Sequence, residues 1–152
     1  MEGLMQSRLE FDQLSPTERV IVRAARARPC DASCCAEARP GWDEIEAALQ
    51  ADPGRAAGRV AAWGLKAALG ALGGRLRSAR PDAEGVAIDE ARLLAAVALL
   101  QAGRHAEAEQ VLRWVAPVAA IRKLVVTRLG EVARALLAGS EALPLRWGVA
   151  PT

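Results

Sequence analysis

Three cysteines stand close together in the stretch RPCDASCCAEARPGW: Cys30, Cys34 and Cys35. On a helix, Cys30 and Cys34 share a face and Cys35 points elsewhere. With His105, the one histidine of the chain, three thiolates would make up the donor set of a tetrahedral Cys3His zinc site. Against this, the spacing C-x3-C-C lacks the C-x2-C pairs of zinc knuckles, and nothing in the sequence brings His105 near. A redox switch is a second chemistry, with Arg28 and a nearby helix start favouring a thiolate. The reading adopted is packing, because a reduced cysteine behaves as a small apolar residue. A thiol- or metal-dependent regulator built on Cys30, Cys34, Cys35 and His105 stands as the alternative.

Other reactive types do not converge. His105 falls in the first turn of a helix, at the margin of its apolar face, where a packing or capping role is the ordinary one. No serine is placed beside a histidine and an acid, so a hydrolytic triad has no support. Asp43 with Glu46, and Glu107 with Glu109, have short helical spacings but lack the further ligands of a di-metal carboxylate centre. The glycine-rich GALGGRLRS ends a helix and follows no strand, unlike a phosphate-binding loop. The expectation is a protein that is not an enzyme and carries no cofactor.

Recognition chemistry is better represented. Trp42, Trp63, Trp114 and Trp147 are four of the five aromatic residues. In an alanine-rich bundle such side chains by default fill gaps between helices. Trp114 falls opposite the core-facing stripe of its helix, and Trp147 falls in the C-terminal tail. With Arg122 and Lys123 they form the candidate partner-binding surface. A second basic feature is the trio Arg19, Arg23 and Arg26, which lines one side of the first helix away from Val20, Ile21, Ala24 and Ala27. A solvated arginine face is its plain reading, and DNA contact is the rival.

These side chains need a scaffold, and the bulk numbers say which kind. The 152 residues suit one core, and 52% of them are hydrophobic, enough to build it. Twenty basic residues meet eighteen acidic ones, so no global field points to nucleic acid or an anionic membrane. Only Lys66 and Lys123 are lysines, and asparagine is absent. That usage fits a GC-rich bacterial genome, which weakens arginine richness as a phosphate signal. The N-terminus has no apolar run of the secretory kind. The longest weakly charged stretch, VAAWGLKAALGALGG, is shorter than the roughly 20 residues a bilayer requires. A cytoplasmic protein without membrane contact is expected, with reduced thiols.

Helix signals dominate. In LSPTERVIVRAARAR, Ser15 suits an N-cap, Pro16 the first helical position, and Glu18 the return bond of a capping box. The helix should stop near Arg28, before Pro29. A short helix over 31–38 and another over 42–50 follow, the latter burying Trp42, Ile45 and Leu49. The spacing of Ala61, Leu65, Ala68 and Leu72 predicts the buried seam of a helix over 55–72. Gly58, Gly64 and Gly70 within it cost about 1 kcal/mol each against alanine, which close helix approach would offset. Residues 73–87 read as a loop. Leu93 to Leu100 is apolar all round and belongs at the centre, ended by Gly103. The next helix directs Ala108, Val111, Leu112 and Val115 inward and closes at Pro117. The last, over 118–138, buries Ile121, Leu124, Val125, Leu129, Val132 and Leu136, and Gly139 ends it. Beyond it Leu143, Leu145 and Trp147 are placed to dock a coil.

Two local resemblances follow from these residues. LSPTERVIVRAAR resembles the opening helix of LuxR-type helix-turn-helix regulators, which would imply DNA binding through Arg19, Arg23 and Arg26. In place of a recognition helix after a short turn, however, the chain gives PCDASCCAEARPG. LLQAGRHAEAEQVLRWV, within the hairpin from Ala91 to Val115, resembles a single tetratricopeptide-type repeat, with Gly103 at the turn and Ala108 and Leu112 as packing positions. No second copy follows, and such arrays need about three units.

The expected architecture is all-α: a single-domain bundle of about six helices built from antiparallel hairpins. Residues 1–14 are a leader, 15–139 the bundle and 140–152 a coil tail. The expected function is a non-catalytic protein–protein interaction module of a bacterial cytosol: an adaptor, assembly factor or regulatory subunit. Its partner is another protein, homo-oligomers remain open, and nucleic acid ranks last.

Overall fold

The computed structural model describes residues 9–27, 45, 47–49, 55–80 and 82–145. The protein is an all-α bundle, as its periodicity requires. Its helices are α1 (Pro16–Arg26), α2 (Arg55–Leu72), α3 (Ile88–Gln101), α4 (His105–Leu112) and α5 (Ala119–Ala138). Residues 45 and 47–49 are also helical, within the stretch expected to form a further helix. There Ile45 is buried and Leu49 packs on the core. No strand occurs among the described residues, and one isolated bridge pairs Glu10 with Gly85.

The start of α1 follows the sequence rule. The Ser15 hydroxyl accepts from the Glu18 amide at 3.3 Å, and the Glu18 carboxylate accepts from the Ser15 amide at 2.9 Å. The end of α3 is a Schellman turn. Gly103 sits at φ +76, its amide donates to the Leu100 carbonyl, and the Arg104 amide donates to that of Leu99. At the end of α5 Gly139 is the cap, but the left-handed residue is Ser140, at φ 63.

α3 is the central element: every residue from Leu93 to Leu100 is buried. It packs against α4 and α5, while α1 touches α3 and α2. The most extensive interface joins α2 to α5. The seam Ala61, Leu65, Ala68 and Leu72 of α2 is buried as expected. Gly64 explains the close approach: a Cβ at this position would lie 2.9 Å from Val132 Cγ2 and 3.0 Å from the Arg128 carbonyl oxygen. Gly70 has nothing within 4 Å, so close approach is not its role.

One residue departs from the expected pattern. Leu124 does not belong to the buried stripe of α5; it is 46% exposed. The described residues of the expected 73–87 loop do form one, and it is tied to α3. Gly73–Arg75 form a 3-10 turn, Leu76 is buried, and amides at Arg77 and Ala79 donate to carboxylates of α3. The coil after α5 docks through Leu143. Its amide donates to Gln101 Oε1 at 2.7 Å and its side chain is buried, whereas Leu145 is exposed.

Candidate partner-binding surface and the network behind it

The surface is built on the first turn of α3. Ala87 lacks a capping side chain, so Glu90 accepts its amide at 2.8 Å, the return half of a capping box. Neighbouring Asp89 accepts the Arg77 amide on Oδ2 at 2.8 Å and Arg92 Nη1 on Oδ1 at 2.9 Å. Arg92 is thereby fixed one turn along the helix. Its guanidinium lies 5.2 Å from the ring centroid of Trp114, in the turn after α4, within cation–π range. The Trp114 side chain nevertheless remains 71% exposed. Ile88, one turn before Arg92 on the same helix face, is also exposed. An apolar pair thus flanks a guanidinium that is already oriented.

Behind the surface lies an ion pair that sequence reasoning did not foresee. Arg26 is 3% exposed and Glu90 0%. Arg26 Nε donates to Glu90 Oε2 at 2.8 Å and Nη2 to Oε1 at 3.1 Å, a bidentate geometry. The remaining capacity of both groups is used as well. Arg26 donates to the carbonyls of Ala83 and Gly85, and Glu90 also accepts the Ala79 amide. Burial of such a pair is tolerable only when its polar atoms are satisfied in this way. Phe11 packs across it, its centroid 5.2 Å from the Arg26 guanidinium and 5.3 Å from that of Arg23. Backbone bonds from Phe11 to Glu84 and from Val86 to Leu9 close residues 9–14 onto the same loop.

The solvated arginine face of α1 therefore needs correction. Arg26 belongs to the interior, Arg19 donates to the Asp12 carbonyl at 2.7 Å, and Arg23 alone of the three is exposed. Helical spacing placed them on one side, but that side meets Phe11 and Asp12 and, at Arg26, the residue 82–87 loop, which spacing cannot reveal.

The other candidate residues divide as follows. Arg122 is a staple more than a free cation. Its Nη1 donates to the carbonyls of Ala116 and Pro117 at 3.1 Å, and its Nε lies 3.6 Å from Glu109. Lys123 is exposed. His105 is exposed at the start of α4, where Arg104 and Glu107 pair across the first turn. That bond raises the Arg104 pKa above its ordinary value. Cys30, Cys34, Cys35, Trp42 and Trp147 lie outside the described residues. Among the described residues no three histidine, cysteine or acidic groups converge as metal ligands. No helix among them is long and apolar enough to cross a membrane.

Trp63 is the residue that the sequence reading missed. The gap-filling default fails for it: its side chain is 77% exposed. The signal was present, since position 63 falls outside the Ala61, Leu65, Ala68, Leu72 seam. Comparison with known proteins gives no matching family model, no matching curated protein and no matching solved structure.

Proposed function

We propose that the protein is a non-catalytic helical interaction module that engages a partner protein through Trp114 and its surroundings. The observation that carries this reading is the braced, open indole: Arg92 holds one side of Trp114 while most of the ring faces solvent. Aromatic anchors of this kind dominate interface energetics. Bracing lowers the entropy that binding must otherwise remove. Ile88 widens the apolar area. An adaptor, assembly factor or regulatory subunit of a bacterial cytosol is the role that fits such a surface.

The test is co-purification of tagged full-length protein from its source cells. Trp114→Ala should remove a partner that wild-type protein retains, while far-ultraviolet circular dichroism stays unchanged. Arg92→Leu should weaken retention less, because it loosens the ring and leaves its area in place. A partner retained equally by wild type and Trp114→Ala rejects this surface.

A further inference from the structure

The solvent side of the α2–α5 pair differs from the rest of the molecule in charge. On α2, Arg59 and Lys66 are exposed and no residue is acidic. On α5, Lys123 and Arg134 are exposed, while Arg128 pairs with Glu131 and Arg122 is held by Glu109 and two carbonyls. The whole chain is almost balanced at +2, so positive charge is concentrated on these two helices. Apolar side chains are exposed beside it. Val60 and Trp63 lie on the outer face of α2, with small Ala67 and exposed Gly70 continuing the same stripe. Leu124 lies on the outer face of α5. Gly64 lets the two backbones approach closely, at Arg128 and Val132 of α5.

We propose that this seam docks an acidic amphipathic helix of a partner protein. Its apolar side would cover Val60, Trp63 and Leu124, and its carboxylates would meet Arg59, Lys123 and Arg134. Charge complementarity selects this occupant. A second copy laid face to face would set like charges against each other. The small residues beside Trp63 leave room for a helix backbone to approach. This site is separate from the Trp114 surface and stands or falls independently of it.

The experiment titrates the full chain with a synthetic amphipathic helix whose leucine seam is bordered by glutamates. A lysine-bordered twin, anionic phosphatidylglycerol vesicles and a DNA duplex serve as rivals. The acidic helix should bind best, and binding should weaken as salt rises. Trp63→Ala should weaken it about tenfold or more, as expected for an interface anchor. Lys123→Glu with Arg134→Glu should weaken it similarly, and Trp114→Ala should leave it unchanged. Helical circular dichroism confirms that each variant is folded. No binding of the acidic helix, preference for any rival, or indifference to Trp63→Ala overturns the proposal.

Discussion

The two sides of the bundle are held by different physics. Between α2 and α5 the contact is apolar and close: Gly64 lies against Val132, and the seam residues from Ala61 to Leu72 are buried. Where α1, α3 and the residue 76–87 loop meet, the contact is polar and saturated. Arg26 and Glu90 bind each other and four backbone groups, and Asp89 binds the loop on one oxygen and Arg92 on the other. The difference concerns how each side can fail. A packed seam fails through volume, in proportion to the atoms misplaced. A buried ionic node fails through orphaned charge, which costs far more than the intact pair contributes.

The largest effect should therefore come from Glu90→Ala. It leaves Arg26 in the interior without its carboxylate and releases the amides of Ala79 and Ala87. The expected loss is about 3–5 kcal/mol in urea unfolding. Replacing both Arg26 and Glu90 by methionine should cost clearly less than the sum of the single changes, since no charge is then stranded. A loss under about 1 kcal/mol for Glu90→Ala would mean that water substitutes for the pair. The distinction between the two sides would then disappear.

On the apolar side, Gly64→Ala tests volume alone. The added methyl meets Val132 Cγ2 and the backbone of Arg128, and the backbone cannot give way as a side-chain end can. Overpacking of this kind costs about 1–3 kcal/mol. Gains in helix propensity of about 1 kcal/mol offset part of it. Val132→Ala in the Gly64→Ala background should restore some stability, a coupling readable from a double-mutant cycle. Equal losses with and without Val132 would place the strain on the Arg128 carbonyl instead.

The same contrast explains what could be read from the residues. The seam of α2, the central position of α3 and the capping box of α1 were legible because apolar periodicity and cap chemistry are local. The Arg26–Glu90 pair joins residues 64 positions apart, and no periodicity encodes that meeting. Arg26 looked like part of a wet stripe, a sound local reading that tertiary structure overrode. The bonds that tie down the 73–87 loop were not legible for the same reason, since its partners are side chains on other elements. Leu124 misled through period alone: positions 124 and 125 both fall one turn after Ile121, and it is Val125, with Leu129, that turns inward while Leu124 stays at the exposed edge. For the candidate surface, Trp114 was identifiable because its helix has a clear inner stripe. The brace on it was not, as Arg92 lies on α3 and Trp114 in the turn after α4.

The smallest expected effect is the most discriminating for α2. Gly70 stands on the same helix as Gly64, but its ideal Cβ would meet nothing within 4 Å. Gly70→Ala should therefore stabilise the fold by about 0.5–1 kcal/mol, the propensity gain of alanine with no steric charge against it. The identical substitution six residues apart thus changes sign according to whether another helix occupies the space. Thermal unfolding of Gly64→Ala and Gly70→Ala side by side isolates that neighbour, because backbone entropy and solvation of the methyl are nearly common to both. If Gly70→Ala destabilised instead, the outer face of α2 would have to be covered. The acidic helix proposed for that face would then be facing an occupied site, and the exposure of Trp63 would need another cause.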